Sequence, residues 1–113
     1  MLDAAMVQEF VDLLSPNGVI TDEVGLRSYE CDGLTGFRQV PALVVLPRDA
    51  QEVAGAVRLC AKHGMPFVAR GAGTGLSGGA MPVADGVVIS LQKLRRILEI
   101  DVENRRAVLE PGV

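Results

Sequence analysis

The fold class that these 113 residues predict is α+β in its α/β form: an N-terminal helix, a βαβ unit with parallel strands, and an antiparallel strand pair. Three observations predict it. Residues 42–46 (ALVVL) and 87–91 (VVISL) are short continuous apolar runs, the mark of strands buried on both faces. A capped helical pattern over about residues 50–63 joins the first run to another strand at 66–70, and that spacing implies a right-handed parallel crossover. Beyond Leu91, apolar and polar residues partly alternate through 94–101 and 105–109, on either side of Val102, Glu103 and Asn104.

Each element has its own warrant. In residues 3–14, Met6, Val7, Phe10, Leu13 and Leu14 share one helical face; Asp3 caps the start, and Ser15, Pro16, Asn17 and Gly18 stop it. Residues 19–40 are irregular, broken by Gly25, Gly33 and Gly36, and read as a loop-rich, peripheral lead-in. Asp49 and Glu52 form a capping box, and the helix they open is expected to bury Val53, Ala54, Val57, Cys60 and Ala61. Lys62 and His63 suit the negative end of that helix's dipole, and Gly64 supplies a left-handed cap. Glu110, Pro111, Gly112 and Val113 read as a turn that leads onward, so the sequence is expected to be cut there from a longer chain.

Composition bounds the function. The chain is 49% hydrophobic, 22% charged and 4% aromatic, enough apolar residues for a core of Val, Leu, Ile and Ala. A net charge of −3 carries no electrostatic footprint for nucleic acid. No apolar run approaches the roughly 18–20 residues of a membrane span. The opening MLDAAMVQEF places Asp3 and Glu9 where a signal peptide would be basic and then apolar, so a cytoplasmic protein is expected. Cys31 and Cys60 are too far apart for a CxxC pair, and no carboxylates cluster with metal-ligand spacing around the single His63.

The densest signal is RGAGTGLSGG at residues 70–79, with glycine at 71, 73, 75, 78 and 79. Each glycine costs about 0.5–1 kcal/mol of extra ordering entropy relative to alanine, roughly 5 kcal/mol at most for the stretch. The loop leaves the carboxyl end of a strand in an open α/β sheet, where ligands bind. Converging backbone N–H groups there make an anion-binding nest, assisted by the hydroxyls of Thr74 and Ser77 and by the charge of Arg70 at the rim. Hydrogen bonds to a charged acceptor contribute about 1.5–3 kcal/mol each, so three or four to a phosphate offset the cost. The competing reading is a plain glycine-rich connector, but connectors favour Ser, Asn and Asp, and here a buried strand is expected on each side, at 66–70 and at 87–91. Gly73-x-Gly75-x-x-Gly78 fits a GxGxxG string, but no helix begins within it, which excludes a Rossmann site; a Walker A loop lacks its lysine. What remains is a loop that holds pyrophosphate unaided and runs directly into another strand.

In order and spacing, PALVVLP at 41–47, the capped helix, VARGAGT at 68–74, the strand at 87–91 and PGV at 111–113 resemble the FAD-linked oxidases with a vanillyl-alcohol-oxidase (PCMH) type flavin domain. SYECDG at 28–33 is similar to the lead-in of their 2-hydroxy-acid branch, the glycolate oxidase flavin subunits and the D-lactate and D-2-hydroxyglutarate dehydrogenases. The resemblance implies that residues 1–40 are a lead-in and 41–113 the N-terminal lobe of the FAD domain. It implies that Arg70, Gly71, Ala72, Gly73, Thr74, Gly75, Leu76 and Ser77 wrap the FAD pyrophosphate, with Gly78 helping the turn. It further implies that Gly112 and Val113 approach the cofactor with their backbone. Relatives with covalent flavin carry a histidine in or beside this loop; here Ala72, Thr74 and Leu76 occupy it, so dissociable FAD is expected.

The activity implied is oxidation of a small 2-hydroxy acid by hydride transfer to FAD. No catalytic base is assigned within these residues, and the piece alone is expected to be inactive. It is also expected to associate with itself through exposed Val and Leu, or with other oxidase subunits. A reading from another class stays open at this point: a non-catalytic α/β module that binds a phosphate ligand or a protein through the loop.

Overall fold

Asp3 opens the first helix by accepting the Met6 amide at 2.9 Å, and α1 runs Ala4–Leu14. The computed structural model of the chain describes residues 2–33 and 35–113. A 3₁₀ turn over Pro16–Gly18 follows, at the expected stop. Two elements then appear in what reads as an irregular lead-in: strand β1, Val19–Ile20, and helix α2, Glu23–Arg27. Two and five residues are too few to show a hydrophobic period, so neither is visible in the pattern. The remaining elements are β2 (Leu43–Val45), α3 (Ala50–Lys62), β3 (Phe67–Arg70), β4 (Val87–Ser90), β5 (Ile97–Asp101) and β6 (Arg106–Leu109).

The main sheet is ordered β1-β2-β4-β3, with β1 antiparallel to β2 and the other three strands parallel. The βαβ unit is therefore present, but its two strands are not neighbours: β4 lies between them, pairing Val44 with Val88 on one side and Val68 with Val88 on the other. Leu43, Val45, Val87 and Ile89 face a core with Phe10, Leu14, Ala56, Cys60 and Met65 from the helical side. Val44 and Val88 alternate with these, project to the opposite face, and are also fully buried. Both apolar runs are thus covered on both faces.

Three details depart from expectation. On α3 the buried residues are Glu52, Gly55, Ala56 and Cys60, whereas Ala54 and Ala61 are exposed. The helix has small residues on every side, so side-chain hydrophobicity alone does not fix its phase; the fit of Leu13 from α1 onto Gly55 does, leaving no room for a Cβ there. The capping box is half used: Glu52 donates its amide to Asp49 at 2.8 Å, but its carboxylate turns to Arg48. Lastly, β3 is an edge strand, not a buried one, with Phe67 44% exposed.

The β5–β6 pair forms a separate two-stranded antiparallel sheet, as predicted, with a register shift between Ile97 and Glu99. Apolar Ile97, Leu98, Ile100, Val108 and Leu109 are all exposed on it. Both cysteines are free; burial pushes the Cys60 thiol up to about 11, which keeps it protonated and inert. Among the described residues no helix is long and apolar enough to cross a membrane.

Candidate functional site

Because β3 and β4 are parallel and in register, Arg70 and Ser90 stand side by side at one edge of the sheet. This is the carboxyl edge, where parallel α/β sheets place their ligands. The glycine segment leaves from Arg70, and two of its glycines adopt left-handed backbone, Gly73 at φ +73° and Gly78 at φ +76°. After the second of these, Met81 donates its amide to the Gly78 carbonyl at 3.2 Å, closing a turn.

The side chain of Arg70 does not reach the rim. It is only 9% exposed, donates from Nη1 to the Cys31 carbonyl at 2.7 Å, and lies over the Tyr29 ring at 5.2 Å. It fills the space beneath Gly73, where a Cβ would fall on the guanidinium. The lead-in is therefore not peripheral: Gly33 donates its amide to the Gly75 carbonyl at 2.8 Å and presses against the glycine segment. Tyr29 and Gly33, at the ends of this contact, carried no sequence signal for it: Gly33 reads as a break in the pattern, and Tyr29 as a turn residue or a contact to cofactor or substrate.

The chain's last residues arrive at the same edge. Gly112 donates its amide to Leu94 at 2.8 Å in a space too small for a Cβ, which would strike the Leu91 carbonyl. Glu110 holds this segment down. Its Oε1 accepts from the Arg96 amide at 2.8 Å and from Arg96 Nε at 2.9 Å, and its own amide donates back to the Arg96 carbonyl. The Arg96 side chain keeps the Glu110 carboxyl below the usual carboxylate range. Arg96 and Arg106 are thus engaged locally, the latter with Glu99 and Asp101.

The result is an open pocket of about 250 Å³ lined by Gly71, Ala72, Gln92, Pro111, Gly112 and Val113. Four expected site residues, Gly71, Ala72, Gly112 and Val113, meet there. Thr74, Gly75, Leu76, Ser77 and Gly78 do not line it; they form the outer turn of the loop beside the lead-in, with Leu76 71% exposed. Gln92 was missed by sequence reasoning, although its position just past a buried strand at the carboxyl edge is a usable signal. It supplies the pocket's one polar side chain. Every other polar group on the walls is main chain, and no charged side chain lines them.

That chemistry suits a ligand recognised through amides. Among the described residues, no N–H between Gly71 and Gly79 donates to another group of the chain. The amides of Gly112 and Val113, by contrast, are already engaged, with Leu94 and Glu110, so those residues can meet a ligand through Cα and carbonyl atoms. Added Cβ atoms at Gly71, Gly75 and Gly79 would meet nothing, so the fold itself does not explain the absence of side chains there. On the face of the sheet that Arg70 occupies, Ser90 Oγ is buried without a hydrogen-bond partner. His63, the single histidine, does not line the pocket: its Nε2 is 2.7 Å from Glu9 Oε2, tying the end of α3 to α1.

Residues 41–113 match the family model described as an FAD binding domain. The chain is 47% identical over 93 residues to glycolate oxidase subunit GlcD of Escherichia coli K12, covering 82% of this chain and 18% of that protein. It is 34% identical to D-2-hydroxyglutarate dehydrogenase of Stutzerimonas stutzeri over all of this chain and 24% of that one. The fold superimposes on 4-ethylphenol oxidase from Gulosibacter chungangensis, in complex with isoeugenol, with a TM-score of 0.86 at 29% identity, over 97% of this chain and 22% of that one. The chain thus spans between about a fifth and a quarter of the length of these relatives.

Proposed function

The chain belongs to the FAD binding domain family, and from that premise we propose that residues 71–78, with Arg70 packed beneath them and Gly112 and Val113 opposite, form the pyrophosphate-holding part of an FAD site in a flavoprotein that oxidises a small 2-hydroxy acid of the glycolate or D-lactate type. One observation carries the reading. The amides along 71–79 are unengaged, Gly71 has open space where a side chain would stand, and Gly71 and Ala72 share a pocket whose other wall is Gly112–Val113. Three or four of those amides donating to a diphosphate outweigh the entropy of ordering the glycines.

Within this reading residues 41–113 are the first lobe of the FAD domain and residues 1–40 its lead-in. The names of the relatives support the substrate class. Bound FAD supplies the acceptor for the hydride of the substrate's α-carbon. The residues of this chain bind and orient; no side chain lining the pocket is a base that could take the hydroxyl proton. The loop carries no histidine, and His63 is held by Glu9, so the flavin is dissociable. The two free thiols fit a reducing compartment, the cytoplasm. The exposed Ile, Leu and Val of β5–β6 fit self-association or contact with another oxidase subunit, which sedimentation at increasing protein concentration would reveal.

The test is a titration with FAD followed by acid precipitation. Flavin fluorescence is expected to change on binding, and the yellow colour to remain in the supernatant. Flavin retained in the pellet overturns dissociability; no binding overturns the site. In a longer protein that carries this segment, glycolate, D-lactate or D-2-hydroxyglutarate is expected to bleach the oxidised flavin band without oxygen, at least one of them doing so; the piece alone is expected to leave the band unchanged.

A further inference from the structure

We propose that residues 29–33 are a clasp that holds the glycine loop in its cofactor-ready shape, with Arg70 as its pin: a positioning residue and not a phosphate ligand. The proposal rests on the FAD reading above. Three contacts build the clasp. Arg70 Nη1 donates to the Cys31 carbonyl at 2.7 Å, its guanidinium packs on the Tyr29 ring at 5.2 Å, and Gly33 N–H donates to the Gly75 carbonyl at 2.8 Å. Both glycines at the seam lack room for a Cβ. At Gly33 it would meet the Thr74 carbonyl at 2.6 Å, and at Gly73 the guanidinium itself.

The geometry explains why this matters for a ligand on the other side of the loop. Peptide groups are planar and trans, so a carbonyl and the following N–H point in opposite directions. Drawing the Gly75 carbonyl toward Gly33 therefore turns the Leu76 N–H away from the lead-in. Beneath the loop, the guanidinium fills the space that lets Gly73 take its left-handed turn. An arginine that met phosphate directly would stand at the rim with its fork free; this one is 9% exposed and already bonded. Ordering glycines before the ligand arrives removes part of the entropic cost of binding.

Arg70→Met, Tyr29→Leu, their double variant and Tyr29→Phe test this, with two readouts: FAD titration of the protein, and hydrogen exchange of the 71–77 amides without FAD. Loss of a hydrogen bond from a charged donor predicts about tenfold weaker FAD binding in Arg70→Met. Loss of the ring predicts about threefold in Tyr29→Leu. Because the two act as one unit, the double variant is expected to bind no more weakly than Arg70→Met alone. Tyr29→Phe, which keeps the ring face, is expected to behave as the unaltered protein. Loop amides are expected to exchange faster in Arg70→Met and in Tyr29→Leu.

Strictly additive losses, or weaker FAD binding with unchanged loop exchange, make Arg70 a direct ligand and overturn the clasp. Unchanged affinity in every variant also overturns it. If the unaltered protein takes up no FAD, the cofactor reading falls and the clasp falls with it, a pattern distinct from the others because no titration then shows binding. Should Arg70→Met fail to fold, Tyr29→Leu against Tyr29→Phe decides the matter alone.

Discussion

The glycines in and around the loop fall into a packed group, the floor, and an open group, the rim. Gly33, Gly73 and Gly112 are hemmed in by the Thr74 carbonyl, the Arg70 guanidinium and the Leu91 carbonyl. Gly71, Gly75 and Gly79 face open space at φ values any residue can adopt. The floor glycines are thus required by the chain's own packing. The rim glycines have no such requirement, and the proposed ligand would supply one. Identical residues in one short stretch answer to two different constraints, and substitution separates them.

The largest expected effect is on the floor. Gly73→Ala combines a left-handed backbone penalty with displacement of the Arg70 hydrogen bond and is expected to destabilise the fold by about 2–4 kcal/mol. A denaturant melt measures it; a midpoint that does not move erases the distinction. At the rim, Gly71→Ala with Gly75→Ala is expected to weaken FAD binding about tenfold, some 1.4 kcal/mol. The same melt is expected to change by no more than about 0.5 kcal/mol. Equal losses in the melt and the titration would break the comparison from the other side.

Acid sharpens it further. The Glu110 carboxyl titrates below its ordinary 4.5 because Arg96 favours its charged form. A depressed folded-state value means that the carboxylate's contribution is present above about pH 4.5 and is lost as pH falls through the lower, folded value. The Gly112 wall of the floor should therefore loosen in that acid window while Gly71 and Gly75 are unaffected. Glu110→Gln is expected to flatten the dependence, read as melting midpoint against pH. The smallest effect belongs to Arg27→Ala. Its pair with Glu23 is exposed on both partners, so neither the melt nor FAD affinity is expected to change measurably.

Much of the scaffold was legible because its signals are local. Asp3 and Asp49 cap the helices they were expected to cap, Gly64 turns at φ +63°, and the two apolar runs are buried on both faces. The signal of the glycine loop is equally local, a composition that is costly unless something binds, and it carries the proposed site. What stayed hidden is what depends on distant partners. Lys62 and His63 suit a helix dipole in sequence, but in space they grip Glu9 of α1. Arg70 reads as a rim charge until Cys31, 39 residues away, accepts its hydrogen bond. Gln92 and Glu110 sit in stretches whose role appears only once the chain's last turn folds back onto the strand exit.

The placement of β4 between β2 and β3 has a temporal consequence. On a ribosome, residues 43–45 and 67–70 emerge before the strand that must join them, and neither can pair with the other in the finished register. The sheet therefore closes only when residues 87–90 slide into the gap, and the intervening glycine segment closes into its loop in the same event. Until then two apolar strand edges wait uncovered, a window in which a nascent chain is open to chaperone capture or to pairing with its neighbours.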